Sequence, residues 1–202
     1  MSRVPAALRS KLLSVGTALL VGATSTYVGT RPEQPSAAVQ LAMEIGHYYE
    51  SGGRHIGKPY VDTIGKGRPL TVCAGITGPE VVAHRYYTRD DCKALELPKY
   101  LAAERAARRL FAYWDTYNVW VQASMIDMLF NLGETAVAGS SMRAKANAGD
   151  LDGACAQMPR WVYGTVDRKP VQLPGLVDRR GTTAELCSDW GRTGHFSARA
   201  TP

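Results

Sequence analysis

The sequence predicts an α+β protein in which a small β-hairpin lobe is inserted early in an otherwise helical domain. Between Tyr60 and Thr77, short runs rich in Val, Ile and Thr alternate with Gly and Pro, the pattern of brief strands and tight turns. From Thr88 onward the apolar residues change to helical spacing, as in Tyr100, Leu101, Ala107, Leu110 and Phe111. A length of 202 residues with 45% hydrophobic content supports one substantial core and is short for two independent ones.

Each element has a local reason. Ser36 is placed to cap a helix running through Met43 and Ile45 to Glu50, and Ser51-Gly52-Gly53 ends it. Thr88 and Asp91 have capping-box spacing, with Asp in place of the usual Glu or Gln. Pro98 reads as the first turn of a new helix. Val119 to Leu132 is nearly all apolar and predicts a buried central helix. Shorter helices are expected from Ser140, Asp150 and Leu176, and a loose tail after Trp190.

The N-terminus carries Arg3, Arg9 and Lys11 before an uncharged run, Leu12 to Thr30, which Arg31 closes. This is the layout of an export signal. The run is 19 residues long, just enough to span a bilayer, but eleven of them are Gly, Ala, Ser or Thr. Two readings stay open: a marginal membrane anchor, or a secretory signal cut after Ala23. Residues 1–35 are therefore expected to be signal or anchor plus linker, 36–190 the working domain and 191–202 the tail.

All four cysteines follow that segment, and in an oxidising compartment they suggest two disulfides. Chain proximity favours Cys73 with Cys92 and Cys155 with Cys187. There is no CxxC pair, and His47, His55, His84 and His195 lack metal-ligand spacing, so no metal or organic cofactor is implied. A net charge of +6 favours an anionic partner: nucleic acid, a membrane surface or an envelope polymer. The basic residues are scattered and form no nucleic-acid-binding signature, which argues against the first.

The segment "YYESGGRHIGKPYVDTIGKGRPLTVCAG", Tyr48 to Gly75, places Glu50, Asp62 and Thr71 across a helix end and the hairpin after it. Two facing carboxylates can divide glycoside hydrolysis between proton donation and water activation, and a hydroxyl can hold the water. Taken singly, each has a structural explanation: a solvated helix-end Glu, a turn Asp, a strand Thr.

The order of these three resembles the phage-type lysozymes. "FNLGETAVAG" (Phe130 to Gly139), "SSMRAKANAGD" (Ser140 to Asp150), Trp161 and "GLVDRRGTTAEL" (Gly175 to Leu186) resemble further family segments in the same order. The resemblance implies a two-lobed lysozyme-like fold, cleavage of the β-1,4 bond between N-acetylmuramic acid and N-acetylglucosamine, Glu50 as general acid, and Asp62 and Thr71 as the water-placing pair. Eleven residues separate Glu50 from Asp62 and eight separate Asp62 from Thr71, against the family's usual eight and five. Tyr60 and Gly65 keep the local pattern around Asp62, so the extra residues lengthen turns. Glu44 is the alternative acid. Asn131 matches a position that presents an amide to the sugar, with a helix-end cap as the plainer reading. Arg180 and Glu185 match a region where a structural ion pair is expected.

The N-terminal run resembles the signal anchor of endolysins that wait on the periplasmic face of the inner membrane and are then released. The implied partners are peptidoglycan and, through residues 12–30, the inner membrane, with the chain monomeric and nucleic acid excluded. A lytic transglycosylase and a non-catalytic envelope-binding protein remain the alternatives.

Overall fold

The computed structural model describes residues 2–21, 34–52, 54–62, 67–73, 75–166 and 169–191. Helix α1 (Ala6–Val21) precedes α2 (Ala37–Ser51), after which β1 (Tyr60–Val61), β2 (Leu70–Val72) and β3 (Ile76–Thr77) form an antiparallel sheet in that order. The helical body follows: α3 (Arg89–Leu110), α4 (Val119–Leu132), α5 (Glu134–Ala138), α6 (Ser141–Asn147) and α7 (Leu151–Cys155). A second hairpin, β4 (Tyr163–Val166) with β5 (Lys169–Gln172), leads to α8 (Pro174–Asp189).

Local chemistry accounts for most boundaries. Ser36 Oγ accepts from the Val39 amide at 3.1 Å, and Gly52 closes α2 in the left-handed conformation, with φ of 61°. Thr88 and Asp91 complete a reciprocal capping box at α3. Asn118 caps α4 through the amides of Trp120 and Val121, and Ser140 and Asp150 cap α6 and α7. Pro98 does not restart a helix. It lies inside one continuous α3, because the buried stripe Cys92, Glu96, Tyr100, Ala103 and Ala107 passes straight through it. Packing along that stripe outweighs the one backbone hydrogen bond a proline removes.

Helix α4 is the centre of the core. Its Val121, Met125, Ile126 and Met128 are buried, and the apolar face of α2, with Val39, Leu41, Ala42 and Ile45, belongs to the same cluster. The α2 backbone comes close to α3 at Gly46, where an added Cβ would lie 1.8 Å from the Tyr100 hydroxyl. Tyr100 in turn stacks on Phe130 with ring centroids 4.0 Å apart. Cys73 joins Cys92 and ties the small sheet to α3; Cys155 joins Cys187 and ties α7 to α8. Both pairings are those expected from the sequence.

The N-terminal segment is part of this body. Val4, Leu8 and Leu12, spaced four residues apart, are buried in the main core. Thr182 Oγ1 donates to the Arg3 carbonyl at 3.2 Å. The Glu185 carboxylate accepts from Ser2 Oγ at 2.5 Å, from the Arg3 amide and from the Val4 amide at 3.2 Å. Among the described residues no helix is long and apolar enough to cross a membrane. The run beyond residue 21, the cut after Ala23, Pro32 of the linker, Gly65 and the tail from residue 192 lie outside the described residues.

Burial pushes the Glu185 carboxyl up, but hydrogen bonds from Ser2, Arg3, Trp190 and Val4 outweigh it and hold the group below its ordinary value of 4.5. A depressed acid contributes stability that is complete above the unfolded-state value and is lost as pH falls through the folded one. Wild-type protein should therefore lose stability in denaturant titrations between pH 5 and the acid limit more steeply than Glu185→Gln. Parallel pH profiles for the two would show that the carboxylate does not hold the N-terminal segment.

Candidate active site

The three predicted residues lie where α2 passes into the small sheet. Glu50 occupies the last turn of α2, with its side chain 32% exposed. Asp62 follows β1 directly, and its amide donates to the Pro69 carbonyl at 2.9 Å. Thr71 lies on β2, opposite Tyr60 in the ladder, and its hydroxyl donates to the same Pro69 carbonyl at 3.2 Å. One carbonyl thus anchors the backbone of Asp62 and the side chain of Thr71. Thr71 is only 2% exposed. With its proton committed to Pro69, its oxygen is left as an acceptor.

Tyr60 connects this pair with Glu50. Burial raises the Tyr60 phenol above its ordinary value, and the charges of Asp62 and of Glu50 raise it further. The Tyr60 phenol thus responds to the charges of both carboxylates, and Tyr60 stands opposite Thr71 in the ladder.

Glu50 is held from behind. Its Oε1 accepts from Arg179 Nη1, while Arg179 Nη2 reaches Asp127 Oδ1 at 2.7 Å. Asp127 is fully buried on α4 and also accepts from Arg180 Nη1 at 3.3 Å. Burial lowers the basicity of both guanidiniums; for Arg179 the charges and hydrogen bonds of Asp127 and Glu50 outweigh it and hold the group above its ordinary value. Arg180 stays below its own. Sequence reasoning missed Asp127. The signal was there, as the one charged residue in an apolar helix, where a buried acid requires a partner.

Two other expectations change. Arg180 and Glu185 do not pair: five residues apart on α8 they point to different sides, Arg180 to Asp127, Asn131 and Trp161, and Glu185 to the N-terminus. Asn131 is not a cap. It stands inside the last turn of α4, and its Oδ1 accepts from Arg180 Nη2. Glu44 faces elsewhere, lining a cavity with Met43 and His47 on the side of α1 and α3.

A helical body with a small antiparallel sheet, with Glu50 at the end of the preceding helix and Asp62 beside the first strand, is the lysozyme-like α+β fold. Residues 52–183 match the family model for phage lysozyme, and the chain belongs to that family. Asp62, Thr71 and Asn131 fall inside the match, and Glu50 lies two residues before it. The SAR-endolysin of Enterobacteria phage P21 is 35% identical over 135 residues, 66% of this chain and 75% of the relative. That of Escherichia phage Mu is 38% identical over 127 residues, 60% of this chain and 66% of the relative. Among solved structures, the endolysin from Escherichia coli O157:H7 phage FAHEc1 is similar with a TM-score of 0.66 at 20% identity, covering 81% of this chain and 97% of that one. The active form of the P1 phage endolysin Lyz is similar with 0.60 at 21%, covering 87% and 92%. The chain is thus a phage endolysin of the SAR type, a peptidoglycan-degrading hydrolase.

The buried ion cluster yields a direct expectation. Asp127→Ala leaves two buried guanidiniums short of their anion and should destabilise the protein by about 3–5 kcal/mol in urea unfolding. A loss below about 1 kcal/mol would mean that the cluster contributes little to holding α2, α4 and α8 together.

Proposed function

We propose that the chain is an exported muramidase that hydrolyses the β-1,4 bond between N-acetylmuramic acid and N-acetylglucosamine. The observation that supports this reading is the Pro69 carbonyl that ties Asp62 to Thr71 on the sheet which follows the Glu50 helix. Glu50 donates its proton to the glycosidic oxygen as the bond to the anomeric carbon breaks. Asp62 takes a proton from the incoming water, whose other hydrogen is accepted by Thr71 Oγ1. Attack from the face opposite the leaving group inverts the anomeric centre, a geometry that calls for carboxyls about 6.5–9.5 Å apart. Arg179 keeps Glu50 in one orientation through the cycle. Asn131, with its oxygen held by Arg180, has its amide nitrogen left for the sugar.

The same reading places residues 1–30 in two successive environments. Before lysis the run from Leu12 to Thr30 lies in the inner membrane and holds the enzyme on the periplasmic face; after release the segment from Val4 to Leu12 is seated on the lytic domain, which degrades the wall as a monomer and lyses the cell. The burial of Val4, Leu8 and Leu12 supports the second location, since each such side chain is stabilised by about 1.5–3 kcal/mol on leaving water. The excess of small and hydroxylated residues in the run makes the first location marginal, so that loss of membrane potential suffices to free it.

Glu50→Gln should reduce peptidoglycan-clearing activity at least a thousandfold, with urea unfolding close to wild type, because the amide keeps the shape and cannot supply the proton. Glu44→Gln serves as the control and should retain activity. The opposite pattern would move the acid to Glu44.

A further inference from the structure

Beside Met43, Glu44 and His47 of α2, a cavity of about 290 Å³ lies between α1, α2, α3 and the segment after α2. Four cations line it: Lys11 from α1, Arg54 from the segment after α2, and Arg89 and Lys93 from α3. Two carboxylates, Glu44 and Glu96, stand against them. Among the described residues none of the four cations has an ion-pair or hydrogen-bond partner for its charged end. Arg89 and Lys93 also occupy the first turns of α3, the end of a helix whose own field already favours anions. The two carboxylates offset only half of this charge, and the remaining excess of positive charge favours an added anion.

The walls are not uniformly polar. Val15, Met43 and Ile56 are left only half-buried against the cavity, and the Cys73–Cys92 disulfide closes it. His55 Nε2, buried and without a hydrogen-bond partner among the described residues, belongs to a side chain on the rim. Across the same rim of Arg54, His55 and Ile56, an open groove of about 480 Å³ adds Lys58 and Tyr86. An occupant that satisfies all of these surfaces needs a compact anion and a short apolar stem beside it, and the size suits a small ligand.

We propose that this cavity binds one phosphate-ester amphiphile, an anionic membrane lipid, with its phosphate among Lys11, Arg54, Arg89 and Lys93 and its first acyl carbons on Val15, Met43 and Ile56. Lys11 and Val15 belong to α1, so the complete site exists only when α1 is seated on the lytic domain. The lipid then favours the seated form by binding to it. A chain leaving a bilayer meets such lipids at the moment α1 must find its place. The binding itself does not depend on which glycosidic bond is cleaved or on which acid donates the proton.

The test uses the full purified chain at low salt with short-chain dihexanoyl phosphatidylglycerol below its micelle concentration, read by titration calorimetry and native mass spectrometry. One lipid per chain is expected, bound at least tenfold more tightly than dihexanoyl phosphatidylcholine and at least tenfold more tightly than inorganic phosphate. Arg89→Gln combined with Lys93→Gln should weaken it tenfold or more, with the unfolding midpoint and wall-degrading activity unchanged. Inorganic phosphate bound as tightly would reduce the cavity to a simple anion site and overturn the lipid. Equal binding of the zwitterionic lipid, undiminished binding by the double variant, or no binding of the anionic lipid would each overturn the proposal as well.

Discussion

The Asp127 carboxylate, with no exposure to solvent, constrains everything around it. A lone buried carboxylate is costly, and here two adjacent arginines from α8 answer it. Ion pairs of this kind contribute little net stability against an apolar packing of the same shape, but they are severe about geometry, since loss of one partner strands the others. The geometry they impose is useful. Arg179 has one edge on Asp127 and a further nitrogen on Glu50, so the helix at the centre of the core fixes the orientation of a carboxylate at the end of α2. Asp127 acts through Arg179 as a positioning residue.

That constraint extends to the N-terminus. Tyr49, the neighbour of Glu50, meets Thr182 Oγ1 at 2.5 Å, and Thr182 donates to the Arg3 carbonyl. Burial pushes the Tyr49 phenol up to about 12, so it remains a neutral donor throughout the working range of pH. Seating the first residues therefore buries Val4, Leu8 and Leu12 and at the same time completes a hydrogen-bonded line that ends beside the proposed acid.

How much of this could be read in the sequence depended on whether the cause was local. Ser36, Thr88 with Asp91, Ser140 and Asp150 act within three residues of themselves, and the caps they form are visible in the chain; the Asn118 cap is as local but was not read there. The cysteine pairing was legible from chain proximity, each bridge joining neighbouring cysteines in the sequence, 19 and 32 residues apart. Pro98 was misread because its local effect lost to a stripe of packing that runs from Cys92 to Ala107, and the hairpin of β4 and β5 escaped because the exposed residues of β5 carry no burial pattern. Leu8 and Leu12 marked an apolar environment without saying whether it was lipid or protein, which hydrophobicity alone does not distinguish. The partners of Arg180 lie about fifty residues away, beyond any spacing rule, although an aspartate in an apolar helix announced that some cation had to come. Glu50, Asp62 and Thr71 were recognisable by order and type; the Pro69 carbonyl that joins Asp62 to Thr71 required the hairpin.

The most direct test of the central claim, that this fixed Glu50 works with a water-placing pair, is the product formed from purified peptidoglycan by the full chain in oxygen-18 water. Hydrolysis through Glu50, Asp62 and Thr71 predicts reducing muramic acid ends carrying one labelled oxygen at the anomeric carbon, formed first as the inverted anomer. Unlabelled 1,6-anhydro ends would contradict it, because they arise when the sugar's own hydroxyl displaces the leaving group and no water is placed.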